Sequence, residues 1–389
     1  MNMTLSLIRK KTVQAILLSL IVITAGAQSP YYPDTAWLVK KPEELKMNAT
    51  LLDSAVRLAM ASENKMDRDL RIANMKAYAS EPDYKIIGPM KQRGGPAGLV
   101  IKNGYIVAQW GDISRVDMTF SATKSYLSTM AGLAIDSGLI KSVTDKVGTY
   151  VWDGSFEGAH NSKVTWEHLL NQSSDWSGTL FGLHDWADRP PKTGGIDDWK
   201  NRQLNEPGTV YEYNDVRVNL LAYSLLQVWR KPLPMVLKEK VMDPIGASTT
   251  WRWFGYDNSF VNVDGLMMQS VSGGGHHGGG IFINTLDQAR FGLLFLRKGK
   301  WKNRQLVSEK WVNAAHQSSP AEKKYGYMWW INATQNWKDV SPGVFYAVGF
   351  GGNYIIIDQE HDLMLVTRWI DDTKVGDVFS LITKSVTGK

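Results

Sequence analysis

Four short apolar runs crowd the C-terminal part of this 389-residue chain, at residues 328–331, 345–348, 354–358 and 363–369. They are too short for helices and rich in β-branched and aromatic residues, so they read as strands. Two more runs stand near the other end, 99–101 and 105–108, separated by Asn103-Gly104. Asn-Gly accepts the positive φ angles of a two-residue hairpin turn, which makes this pair a hairpin. Strands at both ends with few between them predict one antiparallel sheet closed by both ends of the chain. Residues 281–284 add a strand-like step before a helical run at 286–297. Helical apolar spacing also marks 51–64, 121–137, 164–171 and 214–229, whereas 28–44 reads as an extended arm. The expectation is an α+β fold: an antiparallel sheet flanked by helices, built from 28–145 and 270–389, with a mostly helical inserted domain at 146–269.

The first 27 residues read as a leader rather than as fold. Arg9, Lys10 and Lys11 precede a short apolar run from Ala15 to Thr24, and Ala25-Gly26-Ala27 is a small-x-small cleavage site. A run of that length is too short to span a bilayer. The expectation is an exported chain beginning at Gln28, periplasmic or secreted, without stable membrane association. The chain has no cysteine, which excludes disulfides, thiolate metal sites and a lipid-modified leader. Its net charge is +6, and the leader carries three of the basic residues and no acid. No dense basic tract or nucleic-acid motif appears, so no nucleic-acid partner is expected.

Ser121-Ala122-Thr123-Lys124 opens the apolar run at 121–137. Residues three apart on a helix share a face, so the Lys124 amine can reach the Ser121 hydroxyl. A serine needs such a base, and burial lowers an amine's pKa toward that role. The helix N-terminus adds partial positive charge at the serine. The same spacing recurs at Ser62 and Lys65, where a polar context reads as a solvated helix end. Downstream, Pro207-Gly208 turns the chain into Tyr211-Glu212-Tyr213-Asn214-Asp215. A phenol beside a lysine can shuttle a proton. Asp215 is equally readable as a helix cap.

Ser121-x-x-Lys124, then Tyr213-Asn214-Asp215, then a Gly-rich strand resembles the serine β-lactamase and penicillin-binding protein superfamily. The likeness is to its class C β-lactamase-like branch of esterases, D-aminopeptidases and nylon-oligomer hydrolases. Residues 164–174, 213–221 and 278–292 resemble further segments of that family, and the likeness runs from about residue 95 to 370. It implies a β-lactamase/transpeptidase-like fold, a Ser121 nucleophile, a Lys124–Tyr213 proton relay, an acyl-enzyme, and neither metal nor cofactor.

The third family motif, a Lys or His followed by Thr/Ser-Gly, is sought after Tyr213. Lys192-Thr193-Gly194 precedes it and reads as a loop, so the better match is 348–353. There Gly351, Gly352 and Asn353 are expected to form the oxyanion strand, with an N–H near Gly352 joining that of Ser121. No Lys or His opens this segment in either register. Phe350 there, and Asp215 where the family usually carries Asn, are expected to shape substrate binding. They favour a small ester or amide substrate over a β-lactam. Trp176, one of 16 tryptophans, is a candidate for an aromatic substrate wall.

Other classes remain open at this point. One is a true β-lactamase or a peptidoglycan-directed D-amino-acid peptidase. Another is a catalytically silent penicillin-recognising or glycan-binding module. Gly273 to Gly280 encloses His276-His277, but no phosphate-loop Lys follows, and adjacent His side chains in extended chain diverge, so no metal is expected there.

Overall fold

A computed structural model of the protein describes residues 30–388; the leader and its cleavage site lie outside them. The strands that carry the fold are β1 (Ala97–Lys102), β2 (Tyr105–Trp110), β3 (Asp117–Met118), β4 (Arg252–Val263), β5 (Leu266–Val271), β6 (Gly280–Ile283), β7 (Trp330–Ile331), β8 (Phe345–Gly349), β9 (Asn353–Asp358) and β10 (Leu363–Arg368). The principal helices are α1 (Ala49–Ala61), α2 (Leu70–Tyr78), α3 (Thr123–Asp136), α4 (Asp215–Trp229), α5 (Thr285–Leu296) and α6 (Val375–Lys384).

The main sheet runs β7-β8-β9-β10-β1-β2, antiparallel throughout. The N-terminal hairpin therefore docks on the last strand, with Leu99 opposite Val366 and Ile101 opposite Met364. Asn103 and Gly104 both take positive φ, 53° and 88°, as the two-residue turn requires. Side chains alternate across the pleat. Leu99, Ile101, Ile355, Ile357 and Val366 face the core that includes α3, α4 and α5. Val100, Ile356, Leu363 and Leu365 face a second core under α1 and α6. Helices on both faces of one antiparallel sheet are the α+β architecture expected.

The segment 146–269 is less helical than its sequence suggested. It holds α4 and several short helices, but its end is the long strand β4, which hairpins into β5 and joins a second sheet in the order β3-β6-β4-β5. Val218 and Leu225 of α4 share one core with Leu99 and Phe345 of the main sheet, and the chain from Tyr31 onward forms one compact unit. The helix α2 was not anticipated either, because its apolar pattern is weak. Among the described residues no helix is long and apolar enough to cross a membrane.

Candidate active site

The nucleophile candidate stands where a strand turns into a helix. Strand β3 pairs with β6, and Thr119 and Thr123 pin the junction: their hydroxyls lie 3.0 Å apart, and Thr123 Oγ1 accepts from the Ile281 N–H at 3.0 Å. Phe120 between them adopts φ 48°, a conformation that costs a non-glycine residue free energy and clusters at functional sites. Residues Phe120–Ala122 form one 3-10 turn leading directly into α3. Ser121 is half-buried at the start of that helix.

Lys124, one turn on, is 2% exposed, with Nζ 2.8 Å from Ser121 Oγ and 2.6 Å from Asp215 Oδ1. Burial pushes the Lys124 amine below its ordinary value; Asp215 opposes that shift and Arg189 reinforces it. Tyr213 turns its ring to the same amine, 4.8 Å from the centroid. Burial raises the Tyr213 phenol, Asp215 raises it further, and Arg189 and the Ser121 hydroxyl act against them. Ser121 and Lys124, one helical turn apart, thus lie beside Tyr213 from far downstream.

Asp215 is neither the helix cap nor a substrate contact. Asn214 is the N-cap of α4, accepting from Arg217 N–H at 3.0 Å. Asp215 is 1% exposed, and its carboxylate is taken by Lys124, by Arg189 Nη2 at 2.8 Å and by His276 Nδ1 at 3.2 Å. Burial alone would raise its pKa, but Arg189, Lys124 and His276 hold it well below the ordinary carboxylate value.

Around it lies a network that sequence reasoning missed. Arg189 Nη1 donates to Asp188 Oδ1 at 2.6 Å, and its guanidinium faces the rings of Tyr78 and Tyr213. His276 stacks on Tyr78 at 4.4 Å, and its Nε2 lies 2.7 Å from Glu81 Oε2. Burial disfavours its charge, yet Asp215, Glu81 and Asp188 raise its pKa to about 9. His277 is pushed down to about 4 by burial and by the charge of His276. The two His rings are only 4.2 Å apart, because the glycine-rich segment turns rather than extends. Its glycines have a positional reason. A Cβ on Gly274 would lie 2.0 Å from the Phe120 carbonyl oxygen, and one on Gly275 would lie 2.5 Å from Asp215 Cγ. That close approach leaves no room for a side chain at either position, and the juxtaposition of the glycine run with two histidines was the available sequence signal.

Glu81, Asp188 and His276 do place ligand atoms within 4.8 Å of one another. Arg189 already occupies Asp188 and His276 spends Nδ1 on Asp215, so the donor set reads as an ion-paired network.

The glycine-rich turn approaches Ser121 at a point N-terminal to Gly351, Gly352 and Asn353, the residues expected there. Gly352 spends its N–H on the Gly349 carbonyl at 3.1 Å, closing the turn between β8 and β9. Gly351 packs against Met66 and Trp369, and Gly352 against Ile370. Asn353 is buried and braces the turn by donating to Phe350 O at 3.0 Å. Gly349 is the residue against the nucleophile: a Cβ there would lie 1.9 Å from Thr119 O and 3.1 Å from Ala122 N. The next residue, Phe350, packs edge-on against Phe120, with ring centroids 5.3 Å apart. Neither the Ser121 nor the Phe350 N–H has an acceptor among the described residues, which is what a pair of oxyanion donors needs.

Phe350 is half-buried beside Phe120 and Tyr78, as a substrate-wall residue would be. Trp176 is not part of the site. It is 3% exposed in the main core, and its Nε1–H donates to Ser155 O at 2.6 Å. The half-buried aromatics near Tyr213 are instead Tyr211 and Trp330, with Trp330 stacked 6.2 Å from Tyr213. The second Ser-x-x-Lys copy ends α1, with Ser62 at its C-cap and Lys65 exposed. Lys192, Thr193 and Gly194 form an exposed loop.

A family model described as Beta-lactamase matches residues 85–369. No curated protein matches the chain. Among solved structures, a candidate beta-lactamase from Bacteroides dorei is similar with a TM-score of 0.58 at 17% identity, covering 88% of this chain and 100% of that one. A family VIII carboxylesterase is similar with a TM-score of 0.56 at 17% identity, covering 86% and 97%. A penicillin-binding protein homolog from Caulobacter crescentus gives 0.55 at 14% identity, covering 75% and 92%. At these identities the structural likeness concerns the fold.

Proposed function

The chain belongs to the beta-lactamase family, and we propose that it is a serine hydrolase forming an acyl-enzyme on small ester or amide substrates. The observation that carries this is the buried Lys124 amine 2.8 Å from Ser121 Oγ, depressed below its ordinary pKa. In that state it can accept the serine proton as Oγ attacks the carbonyl carbon. The carbonyl oxygen takes up the negative charge and accepts from the N–H groups of Ser121 and Phe350. As the tetrahedral species collapses, the bond to the leaving group breaks. The leaving group takes the proton from Lys124, relayed by the Tyr213 hydroxyl, and Ser121 is left as an ester. Water then attacks the ester, giving a proton to the same base; the bond from Oγ to the acyl carbon breaks, Ser121 Oγ takes that proton back, and the acid departs.

Substrate class follows from the rim. Phe350, Tyr78, Tyr211 and Trp330 offer half-buried aromatic faces, which suit an apolar acyl or leaving group. Neither Gly349 nor Phe350 can supply a cation to a substrate carboxylate. That supports an esterase or amidase over a β-lactamase or D-amino-acid peptidase, and measurable nitrocefin turnover would reverse the preference. Stable acylation without turnover would point to a silent penicillin-recognising module.

The test is a fluorophosphonate label followed by intact-mass detection, beside a panel of p-nitrophenyl esters, D-amino-acid amides and β-lactams. Labelling of Ser121→Ala as efficient as that of the unaltered protein removes Ser121 from the mechanism. We further propose export to the periplasm or exterior with cleavage after Ala27, checked by N-terminal sequencing of the mature chain.

A further inference from the structure

We infer that Arg189, assisted by His276, is a positioning residue that neutralises the Asp215 carboxylate and so lets Lys124 stand unprotonated beside Ser121. The inference rests on the reading of Ser121 and Lys124 as nucleophile and base.

The geometry poses a problem that Arg189 answers. A carboxylate 2.6 Å from a buried amine favours the ammonium form, and an ammonium cannot take a proton from serine. Asp215, however, is shared. Its Oδ1 faces Lys124, while its Oδ2 accepts from Arg189 at 2.8 Å and lies 3.2 Å from His276 Nδ1. Each of those cations has its own second anion: Asp188 on Arg189 at 2.6 Å and Glu81 on His276 at 2.7 Å. Asp188 also accepts from the Asp215 backbone N–H. Tyr78 stacks on His276 and faces Arg189, and Tyr213 faces both Arg189 and Lys124. These groups are drawn from α2 and the chain after it, α3, α4, the loop before α4 and the glycine-rich segment before β6; His277, Tyr256 and Tyr325 also lie within reach of the Asp215 charge. With Lys124 uncharged, Arg189 and His276 are the cations set among Asp215, Asp188 and Glu81, and both of them touch Asp215. Arg189 is the member closest to solvent, with its side chain 28% exposed.

The test compares the pH dependence of acylation, read as the p-nitrophenol burst from p-nitrophenyl acetate, in the unaltered protein, Arg189→Gln, Arg189→Lys, Asp215→Asn and the double variant Arg189→Gln/Asp215→Asn. Losing the guanidinium should move the acid limb up by about 1–3 pH units, the span over which a neighbouring charge acts. Arg189→Lys should restore most of that shift. Asp215→Asn should move the limb down, and the double variant should stay close to Asp215→Asn, because Arg189 acts through that carboxylate. If Arg189→Gln does not fold, His276→Gln made in the unaltered and in the Asp215→Asn protein gives the same comparison, since His276 faces the same oxygen. A uniform loss of rate with unmoved limbs, or a limb shift that persists in full when Asp215 is already Asn, overturns the inference and leaves Arg189 without a role through Asp215. Ser121→Ala with the fluorophosphonate label separates the two levels. Retained labelling overturns the hydrolase reading itself, whereas label confined to Ser121 with unmoved limbs overturns only the role of Arg189.

Discussion

Lys124 Nζ and Asp215 Oδ1 lie 2.6 Å apart, 2% and 1% exposed, so the base of the candidate site and its counter-ion are both withdrawn from water. Such a pair is costly to bury and more costly to break. Removing one partner should therefore damage stability as well as chemistry. Lys124→Met is expected to lower kcat/KM by about 10²–10⁴-fold, the usual contribution of a positioned base. It should also destabilise the fold by about 1–3 kcal/mol, because Asp215 loses a hydrogen-bond partner in the interior but keeps Arg189 and His276. Adding Asp215→Asn should recover part of the stability but none of the activity, as read by urea unfolding and initial rates.

Ser121→Ala should abolish covalent labelling and reduce kcat/KM by at least about 10³-fold, leaving the catalysis that binding and oxyanion donors alone provide. The side chain is half-buried and small, so the urea midpoint should stay close to that of the unaltered protein. Intact-mass detection and rates measured together check both halves.

Gly349→Ala places a methyl group 1.9 Å from the Thr119 carbonyl oxygen. The strand end must move away from the nucleophile, and one oxyanion donor moves with it. A loss of about 10²–10³-fold in kcat is expected. Gly343→Ala is the control, because its Cβ meets nothing nearer than Ser341 Oγ at 3.7 Å. Equal losses in both variants would dissociate Gly349 from the site.

The two adjacent histidines predict opposite pH effects on stability. His276 has its pKa raised from 6.5 to about 9 by its carboxylate partners, against burial. Its contribution is fully present below pH 6.5 and is lost as pH rises through about 9. His277 has its pKa lowered from 6.5 to about 4, chiefly by burial. It penalises folding as pH falls from 6.5 toward 4, where the unfolded chain takes up the proton first. Urea midpoints should fall on both sides of neutrality. His276→Gln should flatten the alkaline side and His277→Gln the acid side.

Trp176→Phe should cost about 1–3 kcal/mol of stability through lost packing and the lost Nε1–H bond to Ser155. KM should not change, since the ring is in the core. A raised KM at unchanged stability would return Trp176 to the substrate wall.

Much of this was legible in the sequence because it was local. Period-two apolar runs, the Asn103-Gly104 turn and the i, i+3 spacing of Ser121 and Lys124 each express the geometry of a single element, and the fold built from them has the sheet expected from both chain ends. Helix α2 and the hairpin of β4 and β5 were missed, since their apolar patterns are irregular and one strand is shifted by a bulge. The order of Ser121, Lys124 and Tyr213 along the chain also pointed to one site. What only the tertiary structure decided is what those residues face. Asp215 looked like a cap or a substrate contact, yet packing places Arg189 and His276 on its carboxylate, from segments whose own patterns say nothing of each other. The backbone that approaches the start of α3 is that of Gly349 rather than Gly352, because the limit is set by how near one chain comes to Thr119 and Ala122. Charge neutralisation and close approach depend on distances between remote segments, and spacing along a sequence does not encode them.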